Sequence, residues 1–528
     1  MQQDFRNTDT PSNHSADIAI IGAGAAGITL ARALAGTGAR IVITESGGAA
    51  PGDNFDSLNA CEVAGLPFPG AEEGRARVLG GATTLWGGQS LPFDPVDFTA
   101  RAHVPNSGWP IPYEALAPWY TPAEQLLHLD QMAYGANGWK FVGVTPPPFD
   151  PAKVGCQMSW LSHRKNFAAL YGGALAQAAN VTILLNATAT GLVAGEDGQR
   201  IERVTLKAPG GRTGTLTAKT FVVCTGSIET ARLLLASPSP DGSGIANRHD
   251  VVGRYFQDHP SGHVLDIVPK DLFAFAHLYR PHNRRHYRLF PKVPLAPEVQ
   301  AQSQVMNATA EVVFQLPQGS PMETARAFYG SLGAGRMPAA RNFRNLFGAV
   351  SELPRTMRDV VVRRRSPTAR GSTVVLWAHI EQAPNPDSRI TLSDQRDSLG
   401  EPRARIDWRL TALEQKTFRV FAETVQGELA RTGLAEATVP SWLLGDDWRE
   451  NVTDFYHQMG TARMGTDPAT SVVDDTQKAQ DIDNLYVAGS AVFPTGSASN
   501  PTLTLLALTL RLADHLKATG KVPISSAG

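Results

Sequence analysis

Apolar residues along the chain occur in short unbroken runs separated by glycine-rich turns. Ile18-Ala19-Ile20-Ile21 predicts a strand buried on both faces, and it breaks into Gly22-Ala23-Gly24-Ala25-Ala26-Gly27. Helical spacing follows from about Ile28 to Ala35, and Ile41-Val42-Ile43-Thr44 is a second buried strand that ends on Glu45. Residues 49 to 112 are loop-rich, centred on Arg77-Val78-Leu79-Gly80-Gly81-Ala82-Thr83-Thr84-Leu85-Trp86-Gly87-Gly88, a segment with little helix or strand propensity. Strand patterns return at Val181 to Asn186 and Thr220 to Cys224, where Thr225-Gly226-Ser227 opens an apolar helix to Ala236 on the same sheet. From about 265 to 450, strand-like Ser372 to Ile380 and Arg389 to Leu392 mix with a helical, Arg-rich stretch at about 322 to 365, which predicts a separate domain. At the C-terminal end, Asp483 to Ser490 predicts a short strand and a small-residue turn. Asn500-Pro501 then opens an apolar helix to about Leu516, with Asn suited to the N-cap and Pro to the first helical position.

At 528 residues the chain exceeds one core and predicts two or more domains of interleaved segments. The 48 Lys and Arg balance 49 Asp and Glu, so no global charge favours nucleic acid or anionic lipid. Val360-Val361-Val362-Arg363-Arg364-Arg365 accordingly reads as a solvated helix face. Cys61, Cys156 and Cys224 lie far apart without CxxC spacing, which argues against a disulfide framework, a zinc site or an iron–sulfur cluster. The polar opening residues carry no apolar export segment, and no apolar run reaches the roughly 18 residues of a spanning helix, so a cytoplasmic protein without a membrane segment is expected.

The strand, GxGxxG turn and helix, with an acid about 20 residues on, form a dinucleotide-binding βαβ unit. Gly22 allows the tight turn, Gly24 lets the backbone approach a pyrophosphate, and Gly27 lets helix and strand pack closely. Glu45 is placed for ribose hydroxyls. Upstream of the C-terminal strand, Tyr456-His457-Gln458-Met459-Gly460 sets a histidine before a glycine turn.

These motifs, with Gly253-Arg254-Tyr255-Phe256-Gln257-Asp258-His259-Pro260 and Glu381-Gln382-Ala383-Pro384-Asn385-Pro386, resemble the glucose-methanol-choline (GMC) flavin oxidoreductases over nearly the whole chain. Within that family the His457 to Gly465 and Asn500 to Thr504 segments look most like the sugar- and glycoside-oxidising, pyranose oxidase-like branch. The resemblance implies an α/β fold: a Rossmann-like FAD domain in pieces, and an α+β substrate domain whose antiparallel sheet faces the flavin. The pieces are drawn at 15–112 for the first part of the FAD domain, 113–180 for a connecting segment and 181–264 for the second part. The substrate domain follows at 265–450, and a C-terminal part at 451–528 carries the catalytic pair. The resemblance places the cofactor on Gly22, Gly24, Ala26, Gly27, Glu45, Ser46, Gly80, Gly81, Thr84, Trp86, Gly87, Thr225, Gly226, Gly489, Ser490, Asn500, Pro501 and Thr502.

Alcohol oxidation needs a base for the hydroxyl proton as hydride leaves for flavin N5, and a neutral imidazole suits that at physiological pH, so His457 is the expected base. Asn500 cannot be a base but can hydrogen-bond the substrate oxygen. The helix at Pro501 would aim its positive end at the reduced flavin. The expected reaction takes a secondary alcohol of a sugar or glycoside to a ketone. A non-sugar alcohol oxidase, a flavin-containing lyase and an NAD-dependent dehydrogenase are the alternatives. Some pyranose oxidases attach FAD through a His in the glycine loop; here that loop reads Thr83-Thr84-Leu85-Trp86, so FAD is expected to be non-covalent. Without clustered cysteines, electrons are expected to leave to O2 or a soluble acceptor. Trp86, Trp109, Trp160 and Trp408 could stack on a sugar but suit ordinary packing better.

Overall fold

The computed structural model describes residues 1–50, 55–129, 134–317, 358 and 368–522. The apolar run around Ile18 lies at the centre of an eight-stranded sheet, where Ile18, Ala19 and Ile20 are wholly buried. Its strands run in the order Gln2–Asp4, Val181–Leu185, Ile41–Thr44, Asn13–Ile21, Thr213–Val223, Ile201–Lys207 and Thr188–Ala194, with Leu485–Val487 beside the end of Thr213–Val223. The first five and Leu485–Val487 are parallel; the last two fold back as antiparallel hairpins. Helix Ala25–Leu34 packs against the C-terminal helix Thr502–Ala518, which in turn meets Tyr113–Leu126.

A second, antiparallel sheet runs Ala435–Thr438, Ser261–Pro269, Thr373–Ile380, Ala308–Gln315, Tyr287–Pro294, Gln157–Ser162 and Gln89–Ser90. Helix Ala412–Thr432 covers it, started by a Thr411/Glu414 capping box and stopped at left-handed Gly433 (φ 66°). One contiguous apolar core joins the two sheets.

The structure departs from the sequence reading in four places. The nucleotide helix begins at Ala25 rather than Ile28. Residues 89–90 and 157–162, assigned to the FAD part and the connecting segment, are strands of the second sheet, where the largely buried 157–162 has antiparallel partners on both edges, Tyr287–Pro294 and Gln89–Ser90. Arg389–Arg396 is not in that sheet: it pairs with Pro402–Asp407, and both pack on helix Ser227–Ala236 on the nucleotide side. The C-terminal helix starts at Thr502 with Pro501 as its cap (φ −72°, ψ −18°) and no side-chain cap bond, so Asn500 is not the N-cap. The Arg-rich 322–365 stretch falls outside the described residues apart from 358. No helix among the described residues is long and apolar enough to cross a membrane.

Candidate active site

The carboxyl ends of four parallel strands, at Ile21, Thr44, Val223 and Val487, lead directly into the wall of a cavity of about 670 Å³. An open parallel sheet places ligands at this edge. Three helices also begin on this wall, at Gly24–Ala25, Gly226–Ser227 and Pro501–Thr502, and none has a side-chain cap bond. Their first backbone N–H groups are therefore available to an anion, and the three dipoles point their positive ends into one space.

Steric demands at the glycines separate packing from binding. At Gly27 an added Cβ would stand 1.9 Å from the Gly22 carbonyl oxygen, so Gly27 is required by helix–strand contact. At Gly24 the Cβ would meet nothing within 4 Å although its backbone lines the cavity; the same holds at Gly226 and Gly489. Positive φ already demands glycine at Gly226 (76°) and Gly489 (120°), but at Gly24, with φ −82°, neither packing nor backbone strain does, whereas a flat dinucleotide lying against bare backbone would. Of the expected cofactor residues, Gly22, Gly24, Ala26, Glu45, Ser46, Gly81, Trp86, Gly87, Thr225, Gly226, Gly489, Ser490, Asn500, Pro501 and Thr502 line the cavity. Gly27, Gly80 and Thr84 do not: left-handed Gly80 (φ 97°) packs on Ala168, and the Thr84 hydroxyl donates to the Gly81 carbonyl.

Glu45 is buried and accepts backbone N–H groups from Ala23 (3.0 Å) and Gly47 (2.9 Å), which ties the glycine turn to the second strand; burial pushes its carboxyl up. The sequence reading missed an ionic wall beside it. Arg75 (2.7 Å) and Arg77 (2.9 Å) grip Glu229, and Arg232 joins Glu229 to Asp397 (2.5 Å). Burial alone would raise Glu229, but Arg77, Arg232 and Arg75 hold it far below the carboxylate range.

The expected catalytic residues converge on the same cavity. Gln257 and Met459 exchange backbone hydrogen bonds as an antiparallel pair (3.0 and 2.8 Å), and two residues further along that register His259 stands across from His457. Their Nδ1 atoms are 2.9 Å apart, and His259 Nε2 lies 3.1 Å from the Gly496 carbonyl oxygen. On the other side of His457, Nε2 is 3.3 Å from Asn500 Nδ2. The wholly buried Asp258 carboxylate accepts the backbone N–H groups of His259 (2.7 Å), Phe455 (2.9 Å) and His457 (2.9 Å), clamping both histidine segments together. Gln382, from the Glu381 to Pro386 motif, receives the Asp258 N–H (3.0 Å) and the Trp408 indole N–H (2.9 Å), while Glu381 pairs with Arg101.

Electrostatics keep these imidazoles neutral. Burial pushes His457 well below the ordinary histidine value, with His259 and Lys292 acting in the same direction; burial brings His259 to about 4. Lys292 is itself buried, 2.7 Å from both Glu311 and His379 Nε2, and Glu311 also accepts from the cavity-lining Gln89 (2.9 Å). His379 stacks on Phe455 (4.7 Å), whose edge meets His457 (5.1 Å). Lys292, Glu311 and His379 went unassigned in the sequence reading, although each is a lone charged or polar residue inside a strand-like apolar run, a legible signal. Of the four tryptophans, only Trp86 reaches the cavity; Trp109, Trp160 and Trp408 are buried in the core.

Two family models described as GMC oxidoreductase match the chain at residues 157–261 and 384–509, the second containing His457 and Asn500 and the first His259. The large subunit of fructose dehydrogenase from Gluconobacter japonicus is 24% identical across 95% of this chain and 98% of its own length. A C-glycoside 3-oxidase from Arthrobacter globiformis is 32% identical over 28% of this chain and 27% of its own. Among solved structures, pyridoxine 4-oxidase from Mesorbium loti superposes with a TM-score of 0.60 over 95% of this chain and 99% of its own, at 18% identity. With an α/β dinucleotide cavity opposed by an antiparallel sheet, the chain carries the N- and C-terminal GMC oxidoreductase regions of an FAD-dependent enzyme that acts on CH–OH groups.

Proposed function

We propose that this chain oxidises a secondary alcohol of a sugar or glycoside to a ketone, with His457 as the base and Asn500 holding the reacting oxygen. The observation that carries the reading is the His457 Nε2–Asn500 Nδ2 pair, 3.3 Å apart on the wall of a cavity that also meets three uncapped helix N-termini. The sugar assignment draws on the relatives acting on fructose and C-glycosides.

FAD, when bound, supplies the acceptor for the carbinol hydride. Gly24, Gly226, Gly489 and the three helix starts would hold it. Binding brings the substrate hydroxyl between His457 and Asn500: Nε2 takes the proton, and the Asn500 amide donates to the same oxygen as its charge grows. Gln89, on the cavity wall and held by Glu311, offers a hydrogen-bonding group to a further hydroxyl. Leu85 lies on the cavity wall with 54% of its surface exposed and offers no nucleophile for a flavin bond, which supports non-covalent FAD. The three cysteines are unpaired and scattered, so O2 or a soluble acceptor is proposed to remove the electrons.

An anaerobic screen of monosaccharides, O- and C-glycosides and simple aryl or alkyl alcohols tests the reading through bleaching of the flavin band. Sugars or glycosides should bleach it; bleaching by aryl alcohols alone would overturn the substrate class. His457→Ala should slow that bleaching by about 10²–10⁴-fold with FAD occupancy unchanged. A loss under tenfold would pass the role to another group.

A further inference from the structure

We propose that His259 is the positioning residue that fixes the tautomer of His457, so that the bare nitrogen of the base is Nε2, facing Asn500 and the cavity. The inference deepens the base assignment and rests on it. A carbonyl oxygen can only accept, so the 3.1 Å contact of His259 Nε2 with Gly496 requires the proton of His259 on Nε2. A neutral imidazole carries one N–H, which leaves His259 Nδ1 as a lone pair. The 2.9 Å contact between the two Nδ1 atoms is then a hydrogen bond only if His457 donates from Nδ1. His457 Nε2 is thereby left bare, and the Asn500 amide donates to it at 3.3 Å. Every donor in the chain Asn500, His457, His259, Gly496 points the same way, an arrangement in which successive hydrogen bonds polarise one another.

The opposite order would need a protonated His259 donating from both nitrogens. That cation would be wholly buried, with Lys292 as a second positive neighbour. The charged or titratable groups around the pair are Lys292 with Glu311, His379, Asp258 with Asp454, and Glu381 with Arg101. Burial, the largest influence on His259, opposes the cation; Glu381 favours it, but that carboxylate is already paired with Arg101. The geometry also survives the reaction: once Nε2 has taken the substrate proton, Nδ1–H still donates to His259. Without His259 an imidazole reverts to the Nε2–H form that a free histidine side chain prefers, and a base with its proton on the cavity side cannot accept another.

Nitrogen-15 spectra of FAD-loaded protein labelled at histidine, assigned by loss of signal in His457→Asn, read the tautomer directly. The wild-type protein should show a pyridine-like Nε2 and a pyrrole-like Nδ1 at His457. The reverse pattern would overturn the proposal without any variant having to fold. His259→Leu should shift His457 toward the Nε2–H form and slow flavin bleaching at least about tenfold at full FAD occupancy. His259→Asn places an amide oxygen near the former Nδ1 position and should restore both the spectrum and most of the rate. Failure of His259→Asn to restore the spectrum, or an unshifted His457 in His259→Leu, would overturn the assignment. If instead the spectra behave as expected but His457→Ala costs less than tenfold, the base assignment has failed and the tautomer assignment stands.

Discussion

The His457 imidazole sits among His259, His379 and the Lys292 ammonium, with Asp258 and Glu311 engaged by other donors. A base works only when deprotonated, and a depressed pKa moves its loss of function toward acid. The rate of flavin bleaching at saturating substrate should therefore stay level from about pH 8 to about pH 6, crossing the ordinary histidine value without a step. An acidic limb centred at or above 6.5 in stopped-flow traces would contradict that electrostatic picture. Asn500 gives a second check, because its side chain faces His457 instead of capping the helix that follows. Asn500→Ala should leave thermal stability within about 0.5 kcal/mol, below the usual cost of removing an N-cap, while slowing the half-reaction markedly. A variant that loses stability but keeps its rate would return Asn500 to a structural role.

Two glycines in one turn divide the labour of the first βαβ unit. Gly24 has extended backbone (φ −82°, ψ −161°) that alanine tolerates, and its Cβ would project into open cavity. Gly24→Ala should leave the stability of the apoprotein nearly unchanged yet weaken FAD affinity at least tenfold in a titration of apoprotein with FAD. Gly27→Ala drives a methyl into the Gly22 carbonyl and should fail at the level of folding instead. The GxGxxG turn was legible in the sequence because an apolar run, a glycine pattern and a distant acid all constrain the same local geometry. His457 and Asn500 were legible through the resemblance of their flanking segments, and the structure brings them side by side. His259 was quoted without a role, since it lies 198 residues from His457 and only the antiparallel register of two irregular segments joins them. The strand character of Arg389 to Leu392 was readable, but its sheet was not: pattern gives period and burial, whereas partner choice here depends on docking against Ser227–Ala236.

Across the full chain, the cavity wall is drawn from segments running from Ile21 to Leu505. If Leu85 leaves FAD unattached, acid or heat precipitation should release the yellow chromophore into the supernatant; colour retained in the pellet would show a covalent bond. A cofactor held without a covalent bond is still mechanically important in such a layout. FAD touching both the Gly22–Gly24 turn and the start of Thr502–Ala518 acts as a reversible cross-link between residues nearly 500 positions apart, closing a loop that contains almost the entire polypeptide. Its binding energy accrues only to the state in which both ends are docked, adding about 2.7 kcal/mol at a hundredfold excess over Kd. By mass action, free FAD well above Kd therefore stabilises the closed chain as a whole and not only the site it fills.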